Sequence, residues 1–284
     1  MASRRDTSLM NEAPTSVATA EILVGTSGYS FDDWVGPFYP PGLRSADFLG
    51  FYARHFPVVE VNSTYYRIPE PKMLAAMEKK TPEDFRFVVK LNQAFTHEQS
   101  RDPVLVRRFQ DVLVPLKDAG KYDGLLLQFP WGFRRTVENR RHLAALREAF
   151  VTEPMWVEFR HDSWLTAGLE PSLREHRIGF CGVDEPQLPG LLPPLVMATT
   201  PDAYVRFHGR NAANWWGSPD TRKTGDRYDW DYSKEELGSW MQKIARLAEQ
   251  SRRVYLFFNN CHAGQAARSA KLMQELLRQQ GLLG

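Results

Sequence analysis

At 284 residues, 43% hydrophobic and 25% charged, the chain has the composition of a globular protein with room for one large domain or two small ones, which excludes a fibre or a disordered chain. Its formal net charge of +2 provides no general pull toward nucleic acid, so an anion site has to be built locally. The two cysteines, Cys181 and Cys261, show neither CxxC nor zinc-ligand spacing and suit a reducing cytoplasm.

Residues 1–20 are polar and lack the apolar stretch of a secretory signal, so they are expected to form a disordered leader ahead of one domain over 21–284. No run reaches the roughly eighteen apolar residues of a membrane span, and neither a membrane partner nor a location outside the cytoplasm is expected. From Ile22 onward, short β-rich runs end in polar residues, and most lead into helix-like segments. The runs are Ile22–Gly25, Val58–Asn62, Arg86–Lys90, Gly124–Gln128, Met155–Phe159, Gly179–Val183, Ala203–Phe207 and Arg253–Phe258. Most are apolar throughout their centres, as parallel strands covered on both faces should be.

Helical periodicity fills most of the gaps. Ser45 to Phe56 places Phe48, Leu49, Tyr52 and Phe56 on one face, and Val104–Leu116, His142–Phe150 and Ala266–Leu277 behave alike. Ser233 and Glu236 form a capping box ahead of Leu237, Trp240, Met241, Ile244 and Leu247. After the sixth run, EPQLPGLLPPLVMATTP is too rich in proline for a helix, so that crossover should be irregular. Eight strands alternating with about seven helices predict an α/β fold, a single (β/α)8 barrel of the TIM type. No GxGxxG or P-loop opens a helix to favour a nucleotide-binding sheet.

In such a barrel the chemistry sits at the carboxyl ends of the strands. The stretch AYVRFHGRN at 203–211 is the most telling, because alternation puts Tyr204, Arg206 and His208 on one face and Val205 and Phe207 on the other. A guanidinium and an imidazole on an inward face require partners or a site. The same i, i+2 pattern turns Glu60 with Asn62, Lys90 with Asn92, and Glu158 with Arg160 toward a common interior, while Gln128, Asp184, Arg210, Asn259 and Asn260 close other strands.

The spaced motifs GTSGY (25–29), WVGPFYP (34–40), EVNSTYY (60–66), EFRHDSW (158–164), RFHGRN (206–211) and FFNN (257–260) resemble those of the DUF72 or YecE-like proteins. The resemblance covers nearly everything after residue 22. It implies a TIM-type barrel with a polar pocket at the strand ends and carries no established reaction.

The mixture of charges at the mouth decides between chemistries. Glu60, Glu158, Asp184 and His208 could ligate a divalent metal, but Arg160 and Arg206 on the same strands compete for those carboxylates, so a metal is disfavoured and no cofactor is expected. Glycosidase chemistry would use Glu60 and Glu158 as a carboxylate pair, against the lowering of an acid's pKa by a neighbouring arginine. The preferred expectation is an enzyme for a small anionic substrate, phosphorylated, carboxylated or nucleotide-like. There Lys90, Arg160, Arg206 and Arg210 fix the anion, Glu60 or Glu158 acts as base and His208 as acid, and Asn62, Gln128, Asp184, Asn259 and Asn260 orient polar groups. Among the aromatics, most are expected to knit loops to the rim, whereas Trp215 and Trp216 beside Arg210 are expected to contact ligand. The alternative is a nucleic-acid-binding barrel, including a metal-dependent nuclease, with the cations on phosphates and the tryptophans stacking bases. The cluster Arg134, Arg135, Arg140 and Arg141 would matter only in that case, and the insertion at 211–232 could close as a lid.

Overall fold

A computed structural model of the chain describes residues 20–217 and 226–283. The expected leader therefore lies outside the described residues apart from Ala20, as does the 218–225 part of the insertion. Eight strands close into a parallel barrel in chain order: β1 (Glu21–Ser27), β2 (Val58–Val61), β3 (Arg86–Lys90), β4 (Tyr122–Gln128), β5 (Met155–Glu158), β6 (Gly179–Asp184), β7 (Asp202–Phe207) and β8 (Arg253–Phe258). Each strand pairs with its sequence neighbours, and β8 closes on β1 through registers such as Gly25 opposite Phe257. The sequence expectation holds for every strand, with ends shifted by a few residues.

The outer layer contains α1 (Phe48–Tyr52), α2 (Ser63–Tyr66), α3 (Pro71–Glu78), α4 (Gln93–Thr96), α5 (Pro103–Asp118), α6 (Val137–Ala149), α7 (Leu169–Glu175), α8 (Lys234–Gly238), α9 (Met241–Gln250) and α10 (Gln265–Gln279). Local chemistry explains their starts. Asp102 accepts from the Val104 amide ahead of Pro103, and α5 then buries Val106, Phe109, Val112, Leu113 and Leu116. The Ser233–Glu236 capping box forms as expected, but its helix is interrupted after Gly238, where the buried Trp240 turns its indole to the barrel before α9 begins. The Ser45–Phe56 stretch is likewise shorter than its periodicity suggests, a 3-10 turn leading into α1. Between β6 and β7 there is no helix; prolines at 186, 189, 193, 194 and 201 remove the donors a helix would need. Among the described residues no helix is long and apolar enough to cross a membrane.

The barrel interior is filled in layers, as side-chain alternation dictates. Trp156, Tyr204 and Tyr255 form an aromatic layer, with Trp156 ring centroids 5.0 Å from Tyr204 and 5.3 Å from Tyr255. Two residues further along the strands stand Glu60, Glu158, Arg206 and Phe257. Another two along come Asn62, Lys90, Gln128, Arg160, His208 and Asn259, at the carboxyl ends. The aromatic rings are buried, and the cavity lined by Asn62, Lys90, Gln128, Arg160 and Asn259 lies at the carboxyl ends of the strands.

Candidate functional site

The middle layer is a closed ion network. Arg206 donates from Nη1 to Glu158 Oε2 at 2.6 Å and from Nη2 to Glu60 Oε1 at 2.7 Å, with Ser27 Oγ 3.2 Å from the same Nη2. Tyr204 completes Glu60 with a 2.7 Å hydrogen bond to Oε2. Arg160 donates to the other oxygen of Glu158 and, at 3.3 Å, to Glu185. Glu60, Glu158 and Arg206 are all inaccessible to solvent. Burial by itself would raise the Glu158 pKa, but Arg160, Arg206 and His208 outweigh it and hold the carboxyl well below the usual range. Each oxygen of Glu60 and Glu158 thus accepts a hydrogen bond from Arg206, Arg160 or Tyr204.

His208 sits inside this network. Asn259 Nδ2 donates to its Nδ1 at 3.1 Å, which leaves the ring proton on Nε2. Nε2 lies 3.2 Å from Glu158 Oε1 but is not aligned with it for a good hydrogen bond, so the contact is mainly electrostatic. Burial and then Arg160 push the His208 pKa down to about 3, and the imidazole is neutral near pH 7. The acid role expected of His208 would thus fall to a ring that burial keeps neutral and that Asn259 holds at Nδ1.

Above the network opens a cavity of about 1120 Å³ whose wall includes Asn62, Lys90, Gln128, Arg160, Asn259 and Trp215. Lys90 Nζ donates to Gln128 Oε1 at 2.8 Å and lies 4.2 Å from the centre of the Tyr65 ring. Gln128 is fixed in turn by its 2.7 Å bond to the Phe129 carbonyl. Asn92 caps α4 through the Ala94 amide and donates to the carbonyls of Thr64 and Tyr65, which holds the Tyr65 ring over Lys90. Burial, followed by the Arg206 charge, lowers the Lys90 pKa to about 7 despite the opposing pull of Glu60 and Glu158. Asn62 contributes a buried Oδ1 with no hydrogen-bond partner among the described residues. Within those residues, no group of three or more His, Cys, Asp or Glu side chains is disposed to hold a metal ion.

The architecture can be set beside known proteins. The model of a family described as protein of unknown function DUF72 matches residues 23–283. The chain belongs to the DUF72 family. It is 32% identical to the UPF0759 protein YunF of Bacillus subtilis, covering 90% of this chain and 94% of that one, and 27% identical to YecE of Escherichia coli K12, covering 90% and 93%. A crystal structure of a DUF72 family protein from Thermotoga maritima superimposes with a TM-score of 0.83 at 38% identity, covering 91% of this chain and 99% of the other. One from Enterococcus faecalis gives 0.80 at 29% identity, covering 90% and 95%.

Within this DUF72 barrel three expected site residues point elsewhere. Asp184 faces outward, where it accepts from Arg210 Nε at 2.9 Å and Nη2 at 2.6 Å, from Tyr232 at 2.7 Å and from Trp240 Nε1 at 2.6 Å. Arg210 follows it because Gly209, at φ +88, ends the strand alternation, and a Cβ there would stand 2.6 Å from Trp230 Cβ. Asn260 is one residue out of phase with Asn259 and bonds the Trp230 carbonyl at 2.8 Å and Ser269 at 3.1 Å. Arg206 is also withdrawn from ligand by its two carboxylates.

The sequence reading missed Glu185. It shares the parity of Cys181, whose sulfur lies 3.9 Å from Glu158, so alternation along β6 and one step beyond could have selected it over Asp184. Burial raises its pKa to about 7, opposed by Arg160 and by the Leu192 amide that donates to it at 3.1 Å. Trp215 is buried in the cavity wall, 5.8 Å below Arg160, with Tyr228 beside it. Trp216 is 53% exposed at the rim and meets Trp131 at 5.3 Å, while Arg134 lies 4.8 Å over Trp131.

Proposed function

We propose that this protein is an enzyme that binds a small anionic molecule in the cavity at the strand ends and acts on it by acid/base chemistry. The observation that carries the reading is the convergence of Lys90, Asn62, Gln128, Arg160 and Asn259, from separate strands, on one cavity. Lys90 and Arg160 supply the positive charge. Among the described residues no hydrogen bond uses Arg160 Nη2, which leaves an edge of that guanidinium for ligand. With its pKa near 7, Lys90 exchanges a proton close to neutrality, as a general acid or base must. Asn62, Gln128 and Asn259 orient polar groups, and the buried Glu60–Arg206–Glu158 network keeps the floor rigid.

A thermal-shift panel of phosphorylated and carboxylated metabolites tests this. A ligand at a hundredfold excess over its Kd stabilises the native state by about 2.7 kcal/mol. The expected result is a shift with one class of small anion that is lost in Lys90→Met; no shift with any member would overturn the reading.

A second reading rests on the rim. Trp131 and Trp216 are exposed together beside Arg134, and Arg135, Arg140 and Arg141 follow in sequence around the start of α6, a combination that suits a nucleic-acid strand lying across the mouth. Oligonucleotide binding that weakens steeply with salt and is lost in Trp216→Ala would favour it; insensitivity to both would reject it.

A further inference from the structure

We infer that Lys90 is a nucleophilic amine that captures a small carbonyl compound bearing an anionic group, an oxo acid or a phosphorylated aldehyde, as an imine. The inference rests on the cavity being a small-anion site and adds the reactive group and the substrate's functional group.

The other lysines that reach into the fold are ion-paired, Lys121 to Glu78 at 3.0 Å and Lys117 to Glu153. Among the described residues Lys90 has no carboxylate within ion-pair distance, because every oxygen of Glu60 and Glu158 on the floor is engaged by Arg206, Arg160 or Tyr204. The charged and titratable groups around it come from five elements and their ends. Glu60 on β2, Glu158 at the end of β5 with Arg160 beyond it, and Arg206 on β7 all act on its charge. Tyr65 of α2 covers it, and His97 after α4 is held to a pKa of about 4 by burial and by Lys90 itself, so near neutral pH it is uncharged and adds no further positive charge.

An amine placed beside cations, with no anion to hold its proton, is the arrangement that makes lysine a nucleophile near neutral pH. It stands at the end of a barrel strand, held by an amide that takes one hydrogen, and the cavity beside it has room for a substrate of several carbons. The amides of Asn62 and Asn259 line the same cavity and can hold a carbonyl oxygen, while Arg160 can take the anionic group.

The step balances without an added oxidant or reductant. The Nζ lone pair bonds to the carbonyl carbon, the π pair moves to oxygen, and a proton passes from nitrogen to that oxygen to give a carbinolamine. The hydroxyl takes one further proton from solvent and leaves as water, and the remaining nitrogen pair forms the C=N bond of a protonated imine. Hydrolysis reverses the sequence.

The test is reductive trapping of the full chain at pH 7 with sodium cyanoborohydride, whose hydride converts the imine to a stable secondary amine. The probes are pyruvate, glyoxylate and glycolaldehyde phosphate, with acetaldehyde as a carbonyl that lacks the anion. The expected result is one adduct, mapped by mass spectrometry to Lys90, forming about tenfold or more faster than at any other lysine, since an ordinary amine of pKa ≈ 10.4 is almost wholly protonated at pH 7. An anionic probe should outpace acetaldehyde; the oxo acids and the phosphorylated aldehyde identify which anion is preferred. Lys90→Arg, which keeps the charge and removes the nucleophilic amine, should form no adduct. Adducts spread over surface lysines, or persisting in Lys90→Met, would overturn the inference. A thermal shift with anions but no Lys90 adduct refutes this step alone, whereas neither shift nor adduct refutes the small-anion reading as well.

Discussion

Arg206 Nη1 lies 2.6 Å from Glu158 Oε2 in a part of the barrel closed to solvent, and its Nη2 gives Glu60 the same treatment. Removing the guanidinium leaves two buried carboxylates without a counter-ion. Arg206→Met is therefore expected to cost about 3–5 kcal/mol, read as a lower midpoint in urea or heat. A loss under about 1 kcal/mol would mean that water reaches the floor and that the network is not a closed one.

Asp184 presents the opposite case, a strand-end acid that serves the wall. Asp184→Ala strands the Tyr232 and Trp240 donors and releases Arg210, for an expected cost of at least about 2 kcal/mol. Anion binding by the folded fraction should be unchanged, because the carboxylate faces away from the cavity. Calorimetric titration of the variant with an anion found in the thermal-shift panel separates the two effects.

Acid should unfold the protein in two overlapping stages. The folded pKa of Glu158 is depressed, so the stability it contributes is present above its unfolded value of about 4.3 and is lost as pH falls through the folded value. His208, with a folded pKa of about 3, acts in the same sense from a higher starting point. Below its unfolded value of about 6.5 the unfolded chain binds a proton that the native one refuses, and stability falls with pH. His55, His97 and His142 are lowered too and add to this. In His208→Gln the slope of stability against pH between about 6 and 4.5 should flatten by up to about 1.4 kcal/mol per unit, measured by urea titration at each pH.

Lys90 predicts a gain. Its folded pKa of about 7 lies below the unfolded value of about 10.4, so its burial costs stability in full below pH 7, and that cost fades between the two values. Lys90→Met should melt higher than the parent protein at pH 6, with the difference shrinking toward pH 10. A reactive site commonly carries this kind of cost, and the same substitution should abolish ligand binding.

Much of this was legible in the chain. Eight apolar runs ending in polar residues gave the barrel, and the i, i+2 rule gave Glu60 with Asn62, Glu158 with Arg160, and Tyr204 with Arg206 and His208 on the inner face. The rule misled where the strand stopped being a strand: Gly209 turned Arg210 outward, and on β6 the inward acid was Glu185, one residue past the one chosen. What no spacing could show is which charges meet across the barrel. Glu60, Glu158 and Arg206 come from β2, β5 and β7, and only closure of the sheet brings them within hydrogen-bond reach, so that Lys90 and Arg160, and not Arg206, line the cavity.

That assignment is tested most directly by titrating the Lys90 amine itself. Reductive methylation with 13C-formaldehyde labels the lysines, 13C NMR follows each from pH 5 to 11, and Lys90→Met assigns the resonance. One signal should titrate near pH 7 and vanish in the variant, while the rest titrate near 10. If every lysine titrates near 10, Lys90 is an ordinary solvated cation and the account of this cavity is wrong.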